Sequence, residues 1–85
     1  IELQELVVMP GSPLQGRSAT DVLLRTRFGL NLLAISRQGR RSVSRLRSTP
    51  ISAGDVLLMQ GPDEALAGFS AQFACVPLAN RSIRI

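Results

Sequence analysis

Glycine and proline cut this chain into short pieces, and that punctuation limits the fold more than any other feature. "PGSPLQG" (Pro10 to Gly16) reads as an irregular loop. Gly29 is placed to close a helix in the left-handed conformation that other residues resist. Gln38-Gly39 reads as the turn of a hairpin, Pro50 lacks the donor a ladder needs, and Gly61-Pro62 stops whatever precedes it. Only short strands and short helices fit between these breaks.

"LQELVVM" (Leu3 to Met9) is expected as a first strand, with a β-branched pair at its centre. "SATD" opens a helix: Ser18 caps the free N–H groups, and Asp21 completes a capping box. Ala19, Val22, Leu23 and Thr26 fall on one face of that helix. "LNLLAISR" (Leu30 to Arg37) is a strand so apolar that cover on both faces is expected, and "RRSVSRLR" (Arg40 to Arg47) is its polar partner. "DVLLMQ" (Asp55 to Gln60) is a further strand. Asp63 and Glu64 favour the N-terminus of a second helix, along which Leu66, Phe69 and Phe73 form an apolar stripe. "CVPL" is a last strand, confined to an edge by Pro77. The order β-α-β-β-β-α-β predicts an α+β fold, a mostly antiparallel sheet with two helices packed on it. Residues 1–80 are expected to form one domain and 81–85 a tail or linker.

Composition narrows the chemistry. The 85 residues are 45% apolar and 19% charged, which suits one small globular domain. The apolar runs Leu32 to Ile35 and Val56 to Met59 are far too short to span a bilayer, and no signal-peptide pattern opens the chain. The chain begins at Ile1 rather than Met and is taken as part of a longer polypeptide. The lone Cys75 excludes an internal disulfide, fits a reducing compartment and reads as a buried structural residue. Without His there is no Ser-His-Asp or Cys-His arrangement and no usual zinc set; without Lys there is no Schiff base and no phosphate-loop lysine. No catalytic residue, metal site or cofactor is expected, and the chain does not read as an enzyme.

Two features keep both a structural and a functional reading. In "AGD", Gly54 takes a positive φ and the Asp55 side chain bonds nearby backbone N–H groups, a structural turn that launches Val56 to Met59 into the core. A catalytic carboxylate would need a second carboxylate, a base or a metal beside it, and the sequence places none there. The net charge of +4 is carried by arginine alone on the basic side, and Arg37, Arg40, Arg41, Arg45 and Arg47 crowd together with no acid among them. These form either a solvated hairpin face or a patch for an anionic ligand. Nucleic acid is a distant third reading, because no aromatic residues interleave with them.

The stretches "SPLQGRSATDVLLRTRFGLNLLAISRQGR" and "STPISAGDVLLMQGPDEAL" together resemble the TrkA-C family, the C-terminal lobe of the regulator-of-potassium-conductance module. The resemblance runs from about Gln4 to Leu78 through Arg25, Gly29, Asn31, Leu32 to Ile35 and Arg37, then Gly54, Asp55, Val56 to Met59 and Gly61. The family's nucleotide-binding lobe is absent, so no NAD or ATP site is implied here. The resemblance implies a cytosolic regulatory domain at the cytoplasmic face of the plasma membrane. It would belong to a bacterial transporter of potassium or other cations, or to a sodium-coupled sulfate or dicarboxylate permease. The domain would pair as a homodimer or with a tandem copy, and would act on the membrane-embedded part of the same chain or of a partner subunit. Some family members bind cyclic di-AMP between two lobes. That implies a cyclic dinucleotide near Arg25, Arg27, Phe28 and Asn31, with arginine for phosphate. A ligand-free module that only holds subunits together is the alternative.

Overall fold

The computed structural model describes residues 2–78. Five strands form one sheet in the order β3-β2-β4-β1-β5: β1 (Glu2–Val8), β2 (Asn31–Arg37), β3 (Arg40–Ser42), β4 (Val56–Gly61) and β5 (Cys75–Pro77). Every strand pair is antiparallel, and helix α1 (Asp63–Gln72) packs on the sheet. The α+β class and the antiparallel sheet expected from the sequence are what the chain adopts. Residues 79–85, where a tail or linker was expected, lie outside the described residues.

The core face is set by register. Leu6 lies opposite Leu57, Leu57 opposite Ile35, and Val8 opposite Cys75, so these side chains share one face across the sheet. All five are buried. The expected stripe of Leu66, Phe69 and Phe73 closes that face from α1. Phe28 completes an aromatic group, edge-on to Phe69 at 5.3 Å and to Phe73 at 5.8 Å. The opposite face carries Val7 beside both Val56 and Val76, with Leu58 and Leu3 on the same side. There Leu3 is 59% and Val76 45% exposed.

Three expectations give way to the packing. The capping box forms: the Ser18 N–H donates to Asp21 Oδ2 at 2.9 Å and the Asp21 N–H to Ser18 Oγ at 3.2 Å. No regular α-helix follows it. Leu23 takes a left-handed φ of 54°, and the chain then makes a short π turn over Leu24–Phe28. Val22 and Leu24 are both buried while Leu23 is exposed. Residues two apart point to opposite sides of an α-helix, so one regular helix cannot bury both; the left-handed residue re-aims the chain between them. Gly29 ends the segment as expected, left-handed at φ 68° with its N–H on the carbonyls of Arg25 and Leu24.

Strand β2 is covered on both faces only in part, at Ala34 and Ile35, which are adjacent and both buried. A bulge between Leu32 and Ala34 leaves Leu33 38% exposed. The extra residue lets Leu32 and Ile35, three apart, both face the core, which a period of two forbids. The hairpin turn Gln38-Gly39 forms with φ of 53° and 82°, the primed turn that matches strand twist. Its second strand nevertheless stops at Ser42, and Arg45 turns left-handed (φ 56°) into a 3₁₀ turn, Leu46–Ser48.

Gly61 tests this packing. A Cβ there would sit 2.5 Å from Leu30 Cδ2 and 3.2 Å from the Gly29 carbonyl, and Leu30 is fully buried. Gly61→Ala is expected to cost about 1–3 kcal/mol in urea unfolding. Cys75 gives a second prediction. Burial pushes its thiol from the ordinary 9.0 up to about 11. The folded thiol holds its proton more tightly than the unfolded one, so this contribution to stability is complete below pH 9.0 and is lost as pH rises through about 11. Urea midpoints across that window should fall in the wild type, with a smaller fall in Cys75→Ala.

Candidate functional site

Asp55 is the most buried charged side chain described, at 1% exposure. It sits one residue before β4, in a turn where Gly54 has φ 91°. That conformation suits glycine, which has no Cβ to clash with the following carbonyl. As expected, the carboxylate accepts a backbone N–H, that of Ser52, on Oδ2 at 2.9 Å. Its main partner is Arg37, at the end of β2. Arg37 Nε donates to Oδ1 at 2.9 Å and Nη2 to Oδ2 at 2.8 Å, a two-pronged pair. Arg37 Nη2 also donates to the Pro50 carbonyl at 2.9 Å. The guanidinium is held above its ordinary value by the hydrogen bond and the charge of Asp55. Eighteen residues separate the partners in sequence, and nothing in the local pattern of either one points to the other.

The ligand candidates lie elsewhere. Arg25 and Asn31 line one groove of about 420 Å³ at the β2 side of the sheet. Its walls are the turn from Ala19 to Thr26, the start of β2, and the segment after β3. That segment brings Arg45 and Arg47 into the groove, together with Val43 and Leu46. The Thr20 N–H donates to the Arg47 carbonyl at 3.1 Å, which ties the two walls together. Arg27 and Phe28 are not on these walls. Phe28 packs against α1, and the Arg27 guanidinium lies over the Phe28 ring at 5.6 Å. Sequence reasoning treated Arg45 and Arg47 as part of a hairpin face and did not join them to Arg25 and Asn31. The left-handed turn at Arg45 makes that juxtaposition, and no local signal announces it. Among the described residues no three His, Cys, Asp or Glu side chains cluster as metal ligands would.

The result is a small α+β domain with an arginine-lined groove at one side of its sheet. The chain belongs to the TrkA-C domain family, whose sequence pattern matches residues 3–74. It is 33% identical over 61 residues to the uncharacterized transporter YfbS of Escherichia coli strain K12, covering 72% of this chain and 10% of that protein. The chain thus spans about a tenth of the length of that relative. The RCK_C domain dimer of S. agalactiae BusR, solved in complex with c-di-AMP, superposes with a TM-score of 0.77 at 23% identity, over 87% of this chain and 97% of that one. The C domain of the potassium transport protein KtrA, a regulator of conductance of K⁺ also solved with cyclic diadenosine monophosphate, gives a TM-score of 0.75 at 28% identity, over 85% and 82% of the two chains.

Asp55→Asn is expected to lower stability by about 1.5–3 kcal/mol, the range for a hydrogen bond to a charged group. Arg37→Ala should cost at least as much, because it leaves a buried carboxylate short of its main partner. Paired urea titrations of both variants and the double variant check this. Strictly additive losses in the double variant would mean that the two residues do not act as a pair.

Proposed function

We propose that the chain is a cytosolic regulatory domain of a bacterial membrane transporter, which pairs with a second copy and passes ligand occupancy to the membrane part. Family membership supports the regulatory role, and YfbS, named a transporter, supports the membrane partner. The particular substrate class, cation or sodium-coupled anion, belongs to the part of the protein beyond this chain.

The groove is the observation that carries the ligand reading. Its volume falls in the range of small-molecule sites. Arg25, Arg45 and Arg47 supply positive charge without an ion-pair partner among the described residues, while Leu23, Leu32 and Val43 supply apolar surface. The arginine fork suits phosphate, and Asn31 offers a base edge both a donor and an acceptor. An anionic ligand with both phosphate and an apolar or planar part fits this mixture. The KtrA complex makes a cyclic dinucleotide the first to try. Arg27 and Phe28 enter only through a second copy or by turning away from α1. The ligand would act by population shift, favouring whichever dimer geometry binds it better.

A ligand-free assembly module is the second reading. The outer face of the sheet favours it, because Leu3, Val7, Val56, Leu58 and Val76 gather there, with Glu5 and Gln60 among them. Both readings expect a dimer by light scattering at micromolar concentration. Calorimetry with cyclic di-AMP separates them. The regulatory reading expects heat from the wild type, and at least about a tenfold loss of affinity in Arg25→Ala and in Asn31→Ala. A confirmed dimer that gives no heat at saturating ligand leaves the assembly module.

A further inference from the structure

We propose that the β2–β3 hairpin and the segment after it form a basic finger that seats the domain on an anionic bilayer surface. The inference rests on the reading that this domain works beside a membrane. Arg40 and Arg41 lie outside the groove, while Val43, Arg45 and Arg47 border it, so Arg40 and Arg41 are the residues to change first.

Every residue from Arg37 to Arg45 is exposed. Arg40 and Arg41 lie on the edge strand β3, and Arg45 and Arg47 continue beyond it. Among the described residues the ion pair formed is Arg37–Asp55, so these four arginines have no carboxylate partner there. Arg40 stands directly opposite Arg37 across the hairpin. Arg37 is already paired with Asp55, and Arg40 gains no opposite charge across the hairpin, so its charge does not serve the hairpin's own stability. Charged side chains on an edge also discourage unwanted strand pairing, which would account for Arg40 and Arg41. It does not account for Arg45 and Arg47, which lie outside any strand, border the groove and continue the basic run from β3.

Four of the six acidic residues lie away from the finger. Glu2 and Glu5 are on β1, which β2 and β4 separate from β3, and Asp63 and Glu64 begin α1 after β4. Of the other two, Asp55 is paired with Arg37 at the base of the hairpin, and Asp21 keeps its charge while accepting the Ser18 N–H. The domain is therefore polarised, with its basic side along one edge of the sheet.

Val43 decides what that edge fits. It stands 67% exposed between Arg41 and Arg45, with no place in the core cluster. An anionic bilayer meets both features: guanidinium groups pair with lipid phosphates while a short apolar side chain enters the headgroup layer. Single-stranded nucleic acid would need aromatic side chains to stack on. All three phenylalanines of the chain are packed against one another beside α1.

The test is co-sedimentation of the chain with vesicles of phosphatidylglycerol and phosphatidylcholine in equal parts, at an ionic strength of about 0.1 M. Binding is expected to these and not to pure phosphatidylcholine. Each arginine at an anionic surface strengthens partitioning about fivefold, so Arg40→Gln with Arg41→Gln should weaken it about thirtyfold. The same pair changed to lysine keeps the charge and should stay within about threefold of the wild type. Val43→Ser should weaken binding further in raised salt, where the apolar contact carries more of the total. Matching melting curves establish that the variants are folded. Absence of binding to anionic vesicles overturns the proposal, as does a lysine pair that loses as much as the glutamine pair. Duplex DNA bound more tightly than vesicles at the same salt, and lost in the glutamine pair, would assign the finger to nucleic acid instead. A wild type that dimerises and takes a ligand but ignores vesicles refutes the finger alone. One that binds vesicles but neither dimerises nor takes a ligand keeps the finger and removes the ligand reading.

Discussion

The pair between Arg37 and Asp55 holds the sheet in the form on which everything else depends. β4 is the central strand, hydrogen-bonded to β2 on one side and β1 on the other. It starts one residue after a carboxylate that is almost wholly buried. That carboxylate fixes its own turn through the Ser52 N–H and fixes the turn to β2 through Arg37. Arg37 in turn holds the Pro50 carbonyl, so the whole connection from Pro50 to Asp55 is clamped against the end of β2. The backbone joins in: the Val8 N–H donates to the Asp55 carbonyl and the Gly54 N–H to the Val8 carbonyl. Three strands are thus aligned at one end by a single buried charge. Arg37 stays about half exposed while the carboxylate is buried, so the pair mainly offsets the cost of taking one charge out of water and is weak evidence for net stability. Its use here is alignment, because a one-residue slip of β4 would turn Leu57 and Met59 out of the core.

The same clamp shows how far sequence reasoning reaches. Local chemistry was legible. The Gly54-Asp55 turn, the Ser18 and Asp21 capping box, the Gln38-Gly39 hairpin and the acidic start of α1 all involve partners within a few residues of each other, and all form. Contacts across longer separations were not legible. Asp55 reads as a turn residue from its neighbours alone, and its tie to Arg37 appears only once β2 lies beside β4. The first helical segment fails for a related reason. Its cap is sound, yet the core takes both Val22 and Leu24, and tertiary burial overrides local helix preference at Leu23. Ser12 is a third case: its hydroxyl donates to the Phe73 carbonyl and accepts the Leu14 N–H, bracing an irregular loop against the end of α1. Nothing in "PGSPLQG" shows that its serine is buried.

The groove was only half legible, and the missing half changes its chemistry. Arg25 and Asn31 sit six residues apart and entered through the family resemblance. Taken with Phe28, they suggested a site built from one continuous stretch. The structure instead turns Phe28 inward against Phe69 and brings Arg45 and Arg47 in from the far wall. A site walled by two separate segments differs from a site on one, because any ligand bridging the walls must hold them at one spacing. The far wall is also continuous with the hairpin that carries Arg40 and Arg41. That segment is anchored at one end by strand pairing to β2 and at the other by the Thr20 N–H on the Arg47 carbonyl. Between those anchors lie Val43, which borders the groove and is largely exposed, and the left-handed Arg45. The proposed ligand in the groove and the proposed contact along the outer edge would therefore act on one short length of chain. Coupling between them needs no long pathway through the core. It requires only that the segment from Arg40 to Arg47 prefer different positions when its two faces are differently occupied.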